Sequence, residues 1–465
     1  MVFSSIPFLF YFLPCVLILY FLAPEKLKNA TLLLCSLVFY AWGEPTFALV
    51  MMVSITQSYI FGLLTARGNH AKLWLACTVT LSLAMLGYCK YADFFIENFN
   101  AVTGLSIPLL NVALPIGISF YTFQIVSYNI DVYRHEVPVQ KNYVNLAAYV
   151  TMFPQLIAGP IVRYSCIAEQ LEHRTHTIDK TAQGVRRFIL GLSKKVLLAN
   201  TLGELCDLFR AAELPSVLFF WLYAVAYAMQ IYFDFSGYSD MAIGLGKIFG
   251  FEFMENFNFP YISKSITEFW RRWHMSLGSW FRDYVYIPLG GNRVKQWRWL
   301  LNIFIVWMLT GLWHGASWNF VAWGLFFGLL LMIEKLFLLR GLKKTKVLNH
   351  VYVLLAVIIS FVIFDATDTG LGGMLARIGA LFGAGSYPAV SDESLYYLRS
   401  YGVLLLIGVI AATPLPKLAV ARLRENKTAA KVLNIIEPLV LVALLVAVTA
   451  YLVDSSFNPF LYFRF

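Results

Sequence analysis

Residues 299–339 read WLLNIFIVWMLTGLWHGASWNFVAWGLFFGLLLMIEKLFLL, two apolar runs joined by GLWHGASWNF at residues 311–320. Arginines and lysines flank this stretch on both sides, within residues 293–298 and 340–346. Because basic loops lie on the cytoplasmic side of a membrane, the two runs should form a hairpin with His314 at its turn. The first run, about 15 residues, makes roughly 22 Å of helix. The hydrocarbon core of a bilayer is roughly 30 Å thick, so we expect His314 to lie within the membrane.

The composition gives the chain too little polar surface for a soluble protein of its size. Of its 465 residues, 59% are hydrophobic and 13% are charged, against roughly 25% charged in a typical soluble domain. Apolar runs near the roughly 20 residues that a helix needs to cross a bilayer recur along the chain. We therefore predict an all-α polytopic membrane protein that forms a single membrane domain over residues 1–465.

The apolar runs also predict where the chain crosses the membrane. Several are short for a bilayer, so we expect about 11 crossings together with re-entrant or interfacial helices. The candidate segments are residues 6–23, 30–43, 46–65, 72–89, 108–130, 143–160, 184–202, 216–235, 299–313, 318–339, 350–365, 399–414 and 433–453.

The net charge of +10 indicates membrane orientation rather than a nucleic-acid partner. The basic residues stand in short clusters between apolar runs, as the positive-inside rule requires, so the expected contact is the lipid bilayer. Lys26, Lys28, Arg67 and Lys72 should be cytoplasmic, which places the N-terminus outside. The later loops imply an even number of crossings, which agrees with 11 only if one segment is re-entrant.

His314 is the ionisable residue whose position most favours a function. An ionisable group at that depth is costly and usually functional, although a histidine can also join helices through a hydrogen bond. Gly311 and Gly315 on either side allow a backbone or a ligand to approach closely. A neutral imidazole in such a pocket can take a proton from a hydroxyl group, as acyl transfer to an alcohol requires.

His274 lies in a second, basic and aromatic segment, EFWRRWHMSL at residues 268–277. Helical spacing would place Trp270, Trp273 and Leu277 on one face, which is typical of an interfacial helix. The neighbouring arginines can alternatively bind the phosphates of a soluble donor such as coenzyme A, because guanidinium groups pair well with phosphate. These arginines are Arg271, Arg272 and Arg282.

Other polar or broken segments suggest a pocket without naming a substrate. QIYFDFSGYSD at residues 230–240 places Asp234 and Asp240 at a predicted membrane boundary. They can form a proton relay or ion site, but a structural role in a hydrogen-bond network is the interpretation that we favour. LPIGISF at residues 114–120 and FPQLIAGP at residues 153–160 break apolar runs with proline and glycine, which is tolerated where the backbone is buried or lines a cavity.

Motifs for other chemistries are missing from the sequence. There is no P-loop or HExxH, and no GxSxG in a strand–turn–helix context. The six cysteines form no CxxC pair and mostly lie in apolar runs. We therefore predict no disulfide framework, no metal site and no bound cofactor.

Five motifs together resemble the membrane-bound O-acyltransferase (MBOAT) superfamily, in its bacterial alginate O-acetyltransferase-like branch. The resemblance covers almost the whole chain, including the opening MVFSS and the closing NPFLYFRF, and is weakest after residue 365. The motifs are LPIGISFYTFQ at 114–124, FPQLIAGPIVRY at 153–164, QIYFDFSGYSDMAIG at 230–244, EFWRRWHMSLGSWFRDYVYIPLGGNR at 268–293 and GLWHGASWNF at 311–320.

The resemblance implies a fold and a set of site residues. The fold is a ring of about 11 transmembrane helices, with re-entrant or interfacial helices, around a central tunnel, and its catalytic core spans about residues 108–340. His314 is the expected catalytic residue, and His274 is the expected second one at the cytoplasmic mouth. The further candidates for binding substrate or donor are Arg271, Arg272, Arg282, Asp234 and Asn319.

The resemblance also implies a reaction. An acetyl group from cytoplasmic acetyl-CoA, a substrate rather than a bound cofactor, passes across the bacterial inner membrane for O-acetylation of an exported polysaccharide. A separate periplasmic or extracellular SGNH-type acetyltransferase, or a small acyl-accepting membrane protein, is the expected partner, together with polysaccharide synthesis and export machinery.

Three other functions fit the same sequence features. A related protein of teichoic acid modification transfers a D-alanyl group from a carrier protein. A proton-coupled transporter or flippase, with His314 and Asp234 as the relay, would share the buried ionisable residues. A membrane scaffold for a glycan synthase would need neither His314 nor Asp234 for chemistry. Within the acyltransferase interpretation, His314 can be a general base or an acyl carrier.

Overall fold

The structure, a computed structural model, describes residues 1–157, 159–213, 215–454 and 460–461, apart from the side chain of Asp368. Throughout these residues the regular structure is helical, with no β-strand. The prediction of an all-α fold is therefore confirmed. Two segments that carried the resemblance fall partly outside the described residues: Ala158 of the second motif, and the closing NPFLYFRF apart from Phe460 and Leu461.

Contacts group the chain into two compact units. The first unit contains Met1–Phe188 and Tyr238–Glu255, and the second contains Ile189–Gly237 and Asn256–Phe465. The earlier prediction of a single domain over residues 1–465 stays a prediction.

The helices α1 to α9 begin in the first unit. They are α1 Leu13–Leu22, α2 Lys28–Ala41, α3 Pro45–Ala66, α4 Ala71–Thr103, α5 Ile118–Tyr133, α6 Tyr143–Thr151, α7 Phe153–Leu156, α8 Tyr164–Glu172 and α9 Ile178–Ser193. A π-helical turn, Phe8–Phe12, leads into α1.

The helices α10 to α21 begin in the second unit. They are α10 Thr201–Ala211, α11 Val217–Ile248, α12 Ile266–Trp270, α13 Met275–Phe281, α14 Gln296–His314, α15 Trp318–Ile333, α16 Leu339–Leu342, α17 Leu348–Phe364, α18 Gly370–Leu381, α19 Asp392–Ala411, α20 Leu415–Glu425 and α21 Lys427–Asp454. The π-helical segments Lys194–Asn200 and Glu334–Leu338 connect α9 to α10 and α15 to α16.

Several helices are long and apolar enough to cross a bilayer, judged by their length and composition. Within the described residues there are six: Pro45–Ala66, Ala71–Thr103, Val217–Ile248, Trp318–Leu342, Asp392–Ala411 and Lys427–Asp454. Shorter apolar helices include Phe8–Leu22, Leu348–Phe364 and Gly370–Leu381. The chain is thus a multi-pass membrane protein, and the number of about 11 crossings stays a prediction, as do the ring and the tunnel.

The predicted end of one helical span, at residue 235, was wrong because the polar residues there do not end the helix. The span predicted at 216–235 continues as α11 to Ile248, so the polar residues of QIYFDFSGYSD lie inside a helix and not at its end. Their polar groups have partners on other segments: Lys195 pairs with Asp234, and Arg187 pairs with Asp240. A helix can therefore continue through them without burying an uncompensated charge.

The span predicted at 108–130 is helical only from Ile118, and the one predicted at 143–160 is interrupted at Met152 and helical only to Leu156. The two interruptions pack against each other. Gly117 ends the first break with φ +77° immediately before α5, and Met152 interrupts the chain between α6 and α7. A Cβ atom on Gly117 would lie 2.7 Å from the carbonyl oxygen of Leu156. Glycine is required here both by the left-handed backbone and by the close approach.

The predicted hairpin is α14 and α15, and its two helices are in backbone contact. A Cβ atom on Gly311 would lie 2.3 Å from the carbonyl oxygen of Phe320, and one on Gly324 would lie 2.3 Å from that of Trp307. Small residues at such a crossing let transmembrane helices pack by direct van der Waals contact. His314 is the last residue of α14, so the hairpin places it at the turn, as predicted.

We predict that Gly324→Ala will lower the stability of the hairpin, because the added methyl group must push α15 away from Trp307. Overpacking of this kind costs roughly 1–3 kcal/mol. Gly402→Ala in α19 is the matched control, since no described atom lies within 4 Å of the added Cβ. Thermal unfolding in lipid nanodiscs, followed by tryptophan fluorescence, should show a lower Tm for Gly324→Ala alone. Equal melting temperatures for the two variants would contradict the packing argument.

Candidate active site

His314 is enclosed by aromatic rings at the turn of the hairpin. Its side chain is 6% exposed, and its ring lies 5.0 Å from Trp313, 4.8 Å from Trp323 and 5.3 Å from Phe364, measured between centroids. The two closest rings stand nearly perpendicular to the imidazole. Aromatic rings therefore surround much of the imidazole.

The glycines beside His314 serve helix packing. Gly311 faces the backbone of Phe320 and Gly324, and a Cβ atom on Gly315 would lie 2.1 Å from the ring of Phe320. The close approach that we expected at these positions is thus between parts of the chain itself.

A small pocket adjoins His314. Its wall contains two ionisable side chains, His314 and Asp234, and is otherwise apolar. The cavity volume is about 20 Å³, which has room for about one water molecule. The apolar lining is Ile231, Phe235, Trp273, Trp323, Phe361, Phe364, Phe460 and Leu461. Within the described residues, no group of three or more His, Cys, Asp or Glu side chains is placed to hold a metal ion.

Asp234 forms a buried ion pair at this pocket. Its Oδ1 atom lies 2.5 Å from Nζ of Lys195, and the two side chains are 1% and 4% exposed. The backbone N–H of Leu461 donates to Oδ2 at 2.8 Å. Lys195 was not among the site residues predicted from the sequence, although its place inside the apolar segment predicted at 184–202 indicated a buried ionisable group.

His274 does not lie on the continuous helix predicted over residues 268–277. Helix α12 ends at Trp270, and α13 starts at Met275. His274 stands between them with φ +44° and ψ +53°, in the left-handed region. A residue with a side chain is strained there and persists only when its surroundings hold it. The helix is interrupted because residues 272–275 form backbone hydrogen bonds with residues 256–258. The N–H of Asn258 donates to the carbonyl oxygen of Arg272 at 2.9 Å, and the N–H of Met275 donates to that of Asn256 at 3.0 Å.

His274 is buried, 1% exposed, and its place at a cytoplasmic mouth stays a prediction. Burial lowers its pKa to about 3, because a low-dielectric environment disfavours the imidazolium. The ring is therefore neutral at cellular pH. Its Nδ1 atom lies 3.1 Å from Oδ1 of Asn256. Its Nε2 atom has no hydrogen-bond partner in the described part of the chain.

Trp313 contacts both histidines. The centroid of its ring lies 5.0 Å from that of His314 and 5.9 Å from that of His274. Phe235 stands against His274 at 4.7 Å and also lines the pocket beside His314. Both predicted catalytic residues therefore belong to the same cluster of side chains, within the second unit.

The predicted phosphate-binding arginines differ in their surroundings. Arg272 pairs with Glu268 at 2.9 Å, and Arg282 pairs with Asp283 at 2.6 Å. Arg271 is exposed, and no ion pair involves it within the described residues. Of the three, Arg271 is the one whose guanidinium has no carboxylate competing with a phosphate.

Asn319 lies outside the wall of the pocket and joins two helices. Its Nδ2 atom donates to the carbonyl oxygen of Phe364 at 2.8 Å, and its side chain is 2% exposed. It ties the start of α15 to the end of α17, whose last residue, Phe364, contacts His314.

Comparison with known proteins identifies the class. The model of the membrane-bound O-acyltransferase family (MBOAT) matches residues 132–368, a region that contains both histidines and the hairpin. The chain belongs to this family, and it is an O-acyltransferase.

Curated relatives match over most of the chain. A probable alginate O-acetylase AlgI of Azotobacter vinelandii is 41% identical over 499 aligned residues, covering 100% of both chains. The protein of the same name from Pseudomonas aeruginosa is 44% identical over 89% of this chain and 81% of its own. A peptidoglycan O-acetyltransferase of Helicobacter pylori is 35% identical over 72% of this chain and 70% of its own.

We predict that Lys195→Met will destabilise the protein by roughly 3–5 kcal/mol, because it removes the ammonium group that pairs with the buried carboxylate of Asp234. The double variant Lys195→Met/Asp234→Asn should recover part of that loss, since the amide keeps an acceptor for Leu461 without the charge. A double-mutant cycle of thermal unfolding measures the coupling. Additive effects of the two substitutions would argue against a direct ion pair.

Proposed function

We propose that this protein passes an acetyl group from cytoplasmic acetyl-CoA across the bacterial inner membrane for O-acetylation of an exported polysaccharide. A periplasmic or extracellular acetyltransferase of the SGNH type completes the transfer, alongside the machinery that makes and exports the polymer. Family membership, the relatives named for acetylation of alginate and of peptidoglycan, and the enclosed histidine pair support this proposal.

The observation that carries the proposal is the position of His314. It is a buried histidine, held by aromatic rings at a helix turn and opening on a pocket in an otherwise apolar wall. A neutral imidazole within hydrogen-bond reach of a hydroxyl group can take its proton. Within an O-acyltransferase, the proton that must move belongs to the acceptor's hydroxyl group.

The transfer then proceeds as follows. His314 takes the hydroxyl proton while the hydroxyl oxygen attacks the thioester carbonyl carbon. The carbon–sulfur bond breaks as the ester forms, and the thiolate leaves and regains the proton from the imidazolium. In the alternative route, an imidazole nitrogen of His314 first attacks the thioester carbonyl carbon, and the thiolate leaves as the acyl-imidazole forms. The hydroxyl oxygen of the acceptor then attacks the acyl group, the bond to the imidazole nitrogen breaks as the ester forms, and the hydroxyl proton passes to the thiolate.

The donor is proposed to approach from the side of the basic and aromatic segment around His274. Arg271 is exposed there and can pair with a phosphate of coenzyme A. Arg272 and Arg282 can reach a phosphate only by exchanging their carboxylate partners. We therefore assign the larger role in donor binding to Arg271.

We predict that His314→Ala will reduce acetyl transfer from radiolabelled acetyl-CoA by roughly 10²- to 10⁴-fold, the usual contribution of a general acid–base group. His274→Ala should also reduce it. The assay uses purified protein in lipid vesicles with the acceptor partner, and its matched control is His173→Ala, which changes an exposed histidine and should leave the rate unaltered. Unchanged acetyl consumption in both site variants would refute the assignment of these residues.

Two further arms of the same assay distinguish the alternatives. A D-alanyl group on a carrier protein, used in place of acetyl-CoA, tests the acyl group, and proton flux into the vesicles without any donor tests the transporter interpretation. Rapid quenching without acceptor separates the two routes. Label that stays on the wild-type chain, is absent from His314→Ala and is released by hydroxylamine would indicate an acyl-imidazole.

A further inference from the structure

Asn256 holds the segment that carries His274 through a set of hydrogen bonds. Its backbone oxygen accepts from the N–H of Met275 at 3.0 Å. Its side-chain Oδ1 atom accepts from the backbone N–H of Ser276 at 3.2 Å and from the Ser276 hydroxyl at 2.8 Å, and lies 3.1 Å from Nδ1 of His274. Asn256 is 0% exposed, so water does not compete for these bonds.

The backbone N–H of Ser276 determines which way the amide of Asn256 is turned. An N–H group can only donate, so the Asn256 atom that faces it must be the oxygen. The same oxygen faces Nδ1 of His274. The Ser276 hydroxyl lies 3.4 Å from Nδ1, but its proton goes to Oδ1 of Asn256 at 2.8 Å. Two acceptors cannot share a hydrogen bond, and therefore Nδ1 carries the proton. In a neutral imidazole the other nitrogen, Nε2, is then the bare acceptor.

We propose that Asn256 is a positioning residue that selects the tautomer of His274 in which Nε2 accepts a proton or a hydrogen bond. The catalytic consequence rests on the proposed function, whereas the tautomer itself does not. The partner of Nε2 would be a hydroxyl or amide N–H group of the acyl donor or acceptor.

The surroundings of Nε2 support a ligand at this atom. A buried acceptor left without a hydrogen bond costs about 1–3 kcal/mol, yet the described residues provide no partner for Nε2. The backbone of His274 is also held in the left-handed region, so two unfavourable features coincide at one residue. Such coincidences are typical of sites that are completed by a substrate.

The contacts of His274 with described residues are with side chains that are not ionised near neutral pH. They include Phe235, Trp313, Asn256 and Ser276. Burial accounts for the lowered pKa of His274. A carboxylate introduced at position 256 would therefore place a negative charge directly beside the ring.

The first test measures the tautomer directly. Nitrogen-15 NMR of histidine-labelled protein in lipid, with the His274 signals assigned by their loss in His274→Gln, should show a protonated Nδ1 and an unprotonated Nε2 in the wild type. In Asn256→Ala this preference should be lost. A wild-type His274 that carries its proton on Nε2 would overturn the proposal, whatever the enzymatic activity.

The second test uses acetyl transfer and its pH profile. Asn256→Ala should lower kcat by roughly 10- to 100-fold, the size typical of losing the group that orients a functional histidine, with little change in KM for acetyl-CoA. Asn256→Asp keeps the acceptor and should retain most activity. Its carboxylate stabilises the imidazolium and so raises the pKa of His274, which moves the acid limb of the profile to higher pH.

Asn302→Ala is the control for general damage. Asn302 is likewise 0% exposed, but its amide donates to the carbonyl oxygens of Leu289 and Gly291, away from His274. It should leave the tautomer and the shape of the pH profile unchanged. Equal loss of activity in Asn256→Ala and Asn256→Asp, with an unshifted profile, would reduce Asn256 to a structural role. If His274→Ala keeps full activity, the proposed catalytic role of His274 is refuted. The tautomer measurement then still tests whether Asn256 positions the ring of His274.

Discussion

The backbone contact between α14 and α15 is the constraint on which the rest of the site depends. Gly311 and Gly324 bring the two helices together so closely that neither position has room for a methyl group. The contact lies one turn before His314, so it determines where the imidazole stands. At the other end of the hairpin, the buried carboxylate of Glu334 accepts hydrogen bonds from the backbone N–H groups of Ile266 and Thr267. One hairpin thus positions His314 directly, and it anchors the start of α12, which leads to His274.

Buried polar groups of the second unit connect its helices through ion pairs and hydrogen bonds. Lys195 and Asp234 pair with each other, and Glu334 caps a short helix. Each of these groups is expensive to bury alone and inexpensive when paired. Their contribution is to geometry more than to net stability, because apolar residues of the same size would pack as well. A packing without these pairs would strand a charge, which disfavours alternative arrangements of the helices around the pocket.

The two histidines share an aromatic environment. His314 lies against the rings of Trp313, Trp323 and Phe364, which restrict the orientation of its imidazole. His274 lies against Phe235 and Trp313, and its Nδ1 atom also faces Oδ1 of Asn256. A ring contact restricts where an imidazole stands, whereas a hydrogen bond also determines which nitrogen carries the proton. For His274 the chain therefore determines both the position of the ring and its tautomer.

The sequence predicted the features that follow from local pattern and failed where a distant partner decides. The hairpin, its turn at His314 and the two broken helices were predictable, since hydropathy, loop charge, proline and glycine act locally. The helix over residues 268–277 was predicted wrongly, because its pattern of tryptophans is helical and only the pairing with Asn256 and Asn258 interrupts it. Lys195, Asn256 and Glu334 were missed for the same reason: the sequence shows a polar residue but not the distant group with which it pairs. Lys195 and Glu334 both stood inside predicted spans, at 184–202 and 318–339, where an ionisable group must be compensated, so their positions called for a buried partner.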